Sequence, residues 1–413
     1  MSAPMPGAGL RVLHLGKFYP PASGGIESHV QTLARAQAAL GAQVEVLCAN
    51  HSADGSGTSH EFHGRSPTRE DWDGLVRVVR LGRSASVARM DVLPQLPGTL
   101  RRMLARGVDV VHLQTPNPTM VLALNAMPRL PALVITHQSD IIRQKVAGAL
   151  FRPFEMMLYA RARRVLANSE AYVPGSALLQ QFRHKVRVLP LGIDPSPFLQ
   201  PSTAALEAER HWRSVSEGQP LWLMVGRLVY YKGLFTALDA LARVPGRLLV
   251  VGEGPLGEEA RRRAEALGVA ERVTWAGYLS PDSLAGAYRA ATALWFPSNA
   301  RSEAYGLSQA EAMASGLPVL NTAIPHSGVS WVSRHEESGL TVPVGEPDAL
   351  ARAARRLLDE PGLAERLGRG ARERAQAELR HDVMASRSLD LYAEALGRPV
   401  RAEPPTRDAA VGT

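Results

Sequence analysis

Short apolar runs alternate with amphipathic stretches along most of the chain, and their order predicts an α/β architecture. Positions 10–15 read as a buried first strand, 19–25 as turn chemistry, and 26–40 as a helix stopped by Gly41. The next apolar run, 44–48, completes a strand–loop–helix–strand unit, which requires a parallel sheet. Further strands are expected at 76–81, 108–113, 132–136, 165–168 and 186–190. Residues 51–70 are polar and rich in Gly, Ser and His, so a mobile loop is expected there.

From 194 to 220 the chain turns polar, with four prolines and a short helical piece, and reads as a linker; a second strand series then begins. Its strands are expected at 221–225, 248–251, 273–275, 293–296 and 318–321, with helices at 233–243, 257–267, 282–291 and 307–315. Helical pattern resumes over 348–379 and again over 382–396. The expected domains are therefore 1–196, a linker at 197–217, and 218–380. A final helix at 382–396 and a disordered tail at 397–413 follow. The fold class predicted is α/β, with two Rossmann-like doubly wound parallel-sheet domains and a cleft between them. Ligands of such sheets bind beyond the strand C-termini.

Length agrees with this, since 413 residues exceed one compact core. One cysteine, Cys48, excludes an intrachain disulfide and a Cys-rich zinc site. No signal-peptide pattern opens the chain and no apolar run reaches bilayer length, so a cytoplasmic protein is expected. The net charge of +8 favours anionic partners. No helix-turn-helix, zinc-finger or RRM signature gathers that charge for nucleic acid, which leaves phosphate-bearing ligands or a membrane surface.

Four segments carry candidate chemistry. Arg301-Ser-Glu-Ala-Tyr-Gly-Leu-Ser-Gln-Ala-Glu311 places Glu303 before a glycine, Gly306, and Glu311 within the helix that follows. The N-terminus of that helix offers free N–H groups for phosphate. Gly226-Arg-Leu-Val-Tyr-Tyr-Lys-Gly233 presents Arg227 and Lys232 directly after a strand, where two cations can neutralise a departing diphosphate. Gly24-Gly25 after the first strand allows close backbone approach to a ligand, and His137 ends an N-terminal strand. Each has a plainer alternative: surface glutamates on an amphipathic helix, solvated loop cations, an ordinary turn, a structural histidine. A further run, Gly252-Glu-Gly254-Pro-Leu-Gly257, matches a dinucleotide fingerprint. The following strand has no acidic residue to hold a ribose, which argues against a nicotinamide enzyme.

Taken together and in this order, the segments resemble glycosyltransferase family 4, retaining enzymes of the GT-B fold, over about residues 11–396. The resemblance implies that Arg227 and Lys232 hold the diphosphate, Glu303 meets the donor sugar and Glu311 the ribose. It also implies that backbone at Tyr305, Gly306, Leu307 and Ser308 positions sugar and phosphate, and that Gly24 and Gly25 approach from the N-terminal domain. His137 would line the cleft beside the transferred sugar, and the 382–396 helix would cross back onto the N-terminal domain. Neither a metal nor another cofactor is expected, the nucleotide sugar being a co-substrate.

The segments from His137 to Lys145 and from Ile324 to Trp331 resemble bacterial members that build surface polysaccharides with GDP-mannose or a related GDP-sugar. Gln114 and Gln138 stand where such members often carry histidine, a departure on the acceptor side. The acceptor expected is a glycan or lipid-linked glycan. The apolar and arginine-rich stretch 151–164 is a candidate contact with an anionic membrane, or else a helix packed inward. Alternatives to the main reading are a UDP-sugar-dependent transferase of the same family, a GT-B epimerase and a catalytically silent nucleotide-binding scaffold.

Overall fold

The computed structural model describes residues 5–22, 24–51, 62, 64–87, 90–140 and 145–398. Most of the loop expected at 51–70, and the tail from 399 onward, lie outside the described residues.

Two parallel sheets organise the chain. The N-terminal sheet contains β1 (Arg11–Leu15), β2 (Gln43–Ala49), β3 (Arg69–Asp73) and β4 (Val76–Leu81). After a small hairpin of β5 (Ala85–Val87) and β6 (Met90–Val92) it continues with β7 (Val110–Thr115), β8 (Ala132–His137), β9 (Arg164–Ala167) and β10 (Val186–Val188). Its order is β10-β9-β8-β7-β1-β2-β4-β3, with only β3 antiparallel. The C-terminal sheet contains β11 (Leu221–Val225), β12 (Arg247–Val251), β13 (Val273–Gly277), β14 (Ala293–Phe296), β15 (Val319–Thr322) and β16 (Gly339–Val342). Its order is β13-β12-β11-β14-β15-β16, the doubly wound arrangement. In each sheet the order reverses beside the domain's first strand, between β1 and β7 and between β11 and β14. The loops leaving those strands part there and open a crevice.

Four strands were not expected from the sequence: the hairpin pair β5 and β6, and β3 and β16, which sit at edges of the two main sheets. β3 is nearly all charged and exposed, and it is held by cross-strand ion pairs, Glu70 to Arg77 at 2.7 Å and Asp71 to Arg80 at 3.1 Å. β16 opens on Gly339 directly after the polar run 334–338, so only Leu340 and Val342 mark it as apolar. The stretch 197–217, expected as a linker, contains the helix Thr203–Val215. Ser202 caps it by accepting the Ala205 N–H at 3.0 Å, and it packs on the helix Pro281–Ala290 of the C-terminal domain. Its apolar stripe is narrow because it covers only one neighbour.

The chain passes between domains twice, and the crossings lie side by side. Ile193 N–H donates to Leu379 O at 2.9 Å and His381 N–H donates to Ile193 O at 2.8 Å. The last helix, His381–Leu396, then lies against Gly25–Ala39 of the N-terminal domain. Its underside is polar as well as apolar. Gln37 Nε2 donates to Ser388 Oγ at 2.7 Å and to Tyr392 Oη at 3.0 Å, while Tyr392 Oη meets His112 Nδ1 at 2.6 Å. Burial pushes His112 well below the usual histidine range, so the ring is neutral, with Nδ1 partnered by Tyr392 and Nε2 by Thr136 Oγ1 at 2.6 Å. Tyr392→Phe removes one member of this satisfied chain and leaves His112 Nδ1 buried without a partner. We expect a loss of about 1–3 kcal/mol in urea unfolding with unchanged secondary structure.

Candidate active site

The donor half of the site is built at the β11/β14 switch point. The loop after β11 carries Arg227 and Lys232 and turns at Gly233, whose φ of +70° admits glycine easily. A Cβ there would lie 1.8 Å from Pro297 O, so the loops after β11 and β14 touch backbone to backbone. The dinucleotide-like run explains itself here. Leu228 N–H donates to Glu253 O at 2.9 Å, and a Cβ on Gly254 would lie 2.5 Å from Leu228 O. Gly254 thus lets the loops after β11 and β12 pack backbone to backbone.

Lys232 Nζ lies 2.6 Å from Glu303 Oε2, both groups largely buried, and 4.9 Å from the centre of the Phe296 ring. Ser298 Oγ donates to the same Glu303 oxygen at 3.3 Å. Arg227 is exposed, and among the described residues no hydrogen bond or ion pair engages its guanidinium. Gly306, at φ +84°, caps the helix Leu307–Ala314; a Cβ there would meet Phe296 Cζ at 2.4 Å. Leu307 and Ser308 open that helix, so their N–H groups have no intrahelical carbonyl. Tyr305 points away from the crevice and donates to Leu191 O at 2.9 Å, leaving only its backbone near a donor.

Glu311 projects from the second turn, where Tyr288 Oη donates to its Oε2 at 2.7 Å. Burial raises this carboxyl's pKa, and Tyr288 and Lys232 oppose the rise. The sequence reading gave no role to Tyr288, because nothing in its helix distinguishes a buried hydroxyl from an aromatic core residue.

The N-terminal half faces this crevice. Gly24 precedes and Gly25 begins the first helix, and a Cβ on Gly25 would touch Leu307 Cδ1 at 3.9 Å. The two predicted glycine turns therefore meet across the cleft. His137 ends β8, buried, with Nδ1 2.8 Å from Tyr159 Oη. Its Nε2 is 3.2 Å from Asp140 Oδ1, but the oxygen lies off the N–H direction and no hydrogen bond forms. Gln138 and Gln114, which replace expected histidines, bond each other at 2.9 Å.

Glu27, also without an assigned role in the sequence reading, is 6% exposed in the first helical turn. Burial pushes its pKa up to about 7 against the pull of its own backbone N–H, of Lys17 and, from the opposite domain, of Arg227.

Two doubly wound domains with facing switch points, and a cationic loop on one side, define a GT-B glycosyltransferase. Sequence comparison agrees. The Glycosyltransferase Family 4 domain matches residues 23–197, and the Glycosyl transferases group 1 domain matches 207–374. D-rhamnosyltransferase WbpZ of Pseudomonas aeruginosa is 34% identical over 366 residues, 88% of this chain and 91% of that protein. O-antigen chain mannosyltransferase C of Escherichia coli is 28% identical over 387 residues, 93% of this chain and 98% of that protein. The sucrose-phosphate synthase of Thermosynechococcus elongatus shares the fold, with a TM-score of 0.74 at 24% identity over 94% of this chain and 99% of that one. The chain belongs to glycosyltransferase family 4 and is a hexosyltransferase.

The raised Glu27 pKa carries a stability consequence. An unfolded Glu27 ionises near 4.5 and the folded one near 7, so folding is penalised as pH rises through that window. Glu27→Gln stays neutral throughout. Its melting temperature should match the parent's near pH 4.5 and exceed it by roughly a few degrees at pH 8, measured without ligand.

Proposed function

We propose that this enzyme transfers a hexose, with retention of anomeric configuration, from a nucleoside diphosphate sugar of the GDP-mannose type. The acceptor is a glycan or lipid-linked glycan in cell-surface polysaccharide synthesis. The observation that carries the reading is the Lys232–Glu303 pair beside Arg227 at the switch point, next to the helix N-terminus and Glu311. The mannosyl- and rhamnosyltransferase relatives support the donor class.

In this reading the diphosphate takes the place of Glu303 at Lys232, joined by Arg227 and the Leu307–Ser308 N–H groups. Glu303, released, accepts from sugar hydroxyls, and the free oxygen of Glu311 accepts from the ribose. The bond from the anomeric carbon to the phosphate oxygen breaks as charge builds on the diphosphate, and both cations stabilise it. The acceptor oxygen bonds to that carbon on the same face, and its proton passes to the departing phosphate oxygen. In this reading Glu303, once released, is engaged by sugar hydroxyls, and the route proceeds without a covalent intermediate.

An anionic membrane is the proposed surface for a lipid-linked acceptor. Among the described residues no helix is long and apolar enough to cross a membrane. The helix Lys145–Arg161 nevertheless turns an apolar stripe outward. Leu150 is 74% exposed, Phe154 42% and Met157 47%, with Pro153 and Ala160 exposed between them. Its inner face, with Leu158 and Tyr159, packs on the core. Of the arginines at its end, Arg163 is exposed, while Arg161 binds the carbonyls of Leu124, Asn125 and Met127 and Arg164 pairs with Glu394 at 2.8 Å. The exposed stripe beside Arg163 suits an anionic lipid surface.

Two measurements test these assignments. Lys232→Ala should lower kcat at least about 100-fold, while Glu311→Ala should raise the donor KM more than it lowers kcat. GDP should raise the melting temperature more than UDP or ADP does, and proton NMR of the product should show the donor's anomeric configuration. Normal turnover in Lys232→Ala would remove the phosphate assignment. For the membrane, the paired change Phe154→Glu and Met157→Glu should abolish co-sedimentation with phosphatidylglycerol vesicles and spare transfer to a soluble acceptor. Unchanged sedimentation would place the contact elsewhere.

A further inference from the structure

A second ion pair crosses the cleft, and it involves neither donor nor acceptor. Arg301 stands two residues before Glu303 in the loop after β14, and its Nη2 donates to Asp140 Oδ2 of the N-terminal domain at 2.9 Å. The guanidinium lies over the Tyr172 ring, 4.2 Å from its centre, while Nε donates to His326 O within its own domain at 2.9 Å. A Cβ on Gly175 would lie 2.5 Å from His326 Cβ and 2.9 Å from the guanidinium carbon, so only glycine lets the domains close to this distance. Arg301 is thus anchored on one domain and clamped on the other.

Asp140 is held from both ends. Ser176 Oγ donates to Oδ1 at 2.7 Å, Arg301 takes Oδ2, and the Asp140 N–H donates to Tyr172 Oη at 2.9 Å. Burial alone would raise this carboxyl's pKa; His137, Ser176 and Arg301 together hold it well below the usual carboxylate range. The same carboxylate sits 3.2 Å from His137 Nε2, and its charge favours the proton on that nitrogen, with Tyr159 Oη donating to Nδ1. Yet Oδ1 lies off the N–H axis, and Nε2 is buried without a hydrogen-bond partner. A carboxylate this close to an N–H would rotate to accept it unless something else held it.

We propose that Arg301 is a positioning residue that acts through Asp140, holding its carboxylate off the His137 Nε2–H when the domains close and so leaving that N–H for a substrate oxygen. When the domains part, Asp140 turns to His137 and occupies it. The donor loop that carries Glu303 thereby reports closure to the histidine of the other domain. This inference rests on the transferase reading for its consequence in turnover, but the rearrangement itself can be observed without any reaction.

The test uses the full chain in two measurements. With histidine labelled by nitrogen-15, Arg301→Ala should shift the His137 Nε2 resonance, assigned by its loss in His137→Gln, as the new bond to Asp140 forms. Adding Asp140→Ala should reverse that shift. In kinetics, Arg301→Ala should lower kcat more than tenfold with the donor KM changed less than about threefold. The double variant Arg301→Ala with Asp140→Ala should turn over several-fold faster than Arg301→Ala alone. A merely structural bridge would make the double variant no better than the single. An unmoved Nε2 resonance in Arg301→Ala, or a double variant no faster than the single, overturns the proposal. Absence of transfer by the parent with every nucleotide sugar would instead remove the transferase reading and leave the resonance test standing.

Discussion

The ion pair between Lys232 and Glu303 is the interaction around which the donor half is arranged. Two charges taken out of water lose hydration that their mutual attraction only partly returns, so such a pair is a poor source of stability. Its value lies in exchange. Lys232 cannot sit unpaired beside Phe296, and a diphosphate cannot enter a dry crevice without a cation. Under the proposed donor reading, Glu303 holds the ammonium in place until the anion arrives. The loops that present the pair are fixed by backbone contact, through Gly233 on Pro297 and Gly254 on Leu228, so the exchange need not move the main chain.

The same loop ties the donor site to the rest of the molecule. Between β14 and the helix at Leu307, Arg301 reaches the N-terminal domain, Glu303 reaches Lys232 and Ala304 lies in the N-terminal core. Tyr305 bonds Leu191 beside the paired crossings at Ile193 and Leu379. Four residues between 301 and 305 therefore contact both domains and the hinge. A change in domain angle must be felt here first, because a packed core admits discrete rearrangements rather than continuous strain. The last helix keeps the hinge attached to the N-terminal domain through neutral, fully buried partners such as Gln37, Tyr392 and His112, which do not titrate near neutral pH.

The strand series, and the gathering of Arg227, Lys232, Glu303 and Glu311 at one switch point, were legible because buried parallel strands are continuous apolar runs and their loops carry the exceptional residues. What escaped the sequence had physical reasons. β3 pairs through charges at an exposed edge, so it has no apolar pattern to read. The helix Thr203–Val215 covers a single neighbour and looks like a polar connection. Gly252 and Gly254 imitate a cofactor loop, although the demand they meet is close approach between two backbones. Arg301 and Asp140 were visible only as members of longer motifs, since their partnership spans 161 positions and joins two domains. The helix Lys145–Arg161 gave an ambiguous pattern because both its faces are apolar, one inward and one outward.

Under the proposed donor reading, the charges around the cleft imply an order of events. On the donor side stand Arg227, Lys232, Glu303 and Glu311; across from them stand Lys17, Glu27 and Asp140. Without a ligand, Lys232 is neutralised by Glu303, Arg301 by Asp140, and Glu27 is brought toward neutrality by burial. Arg227 alone among the donor-side cations has no close anion, yet it is near enough to lower the pKa of Glu27. An arriving diphosphate meets this unpaired cation first, without breaking an existing bond. Only afterwards does it displace Glu303 from Lys232, which costs an ion pair and returns one. Binding in that sequence keeps every buried charge compensated at each stage, and it draws Arg227 away from Glu27, whose neutral form then faces the anion without repulsion.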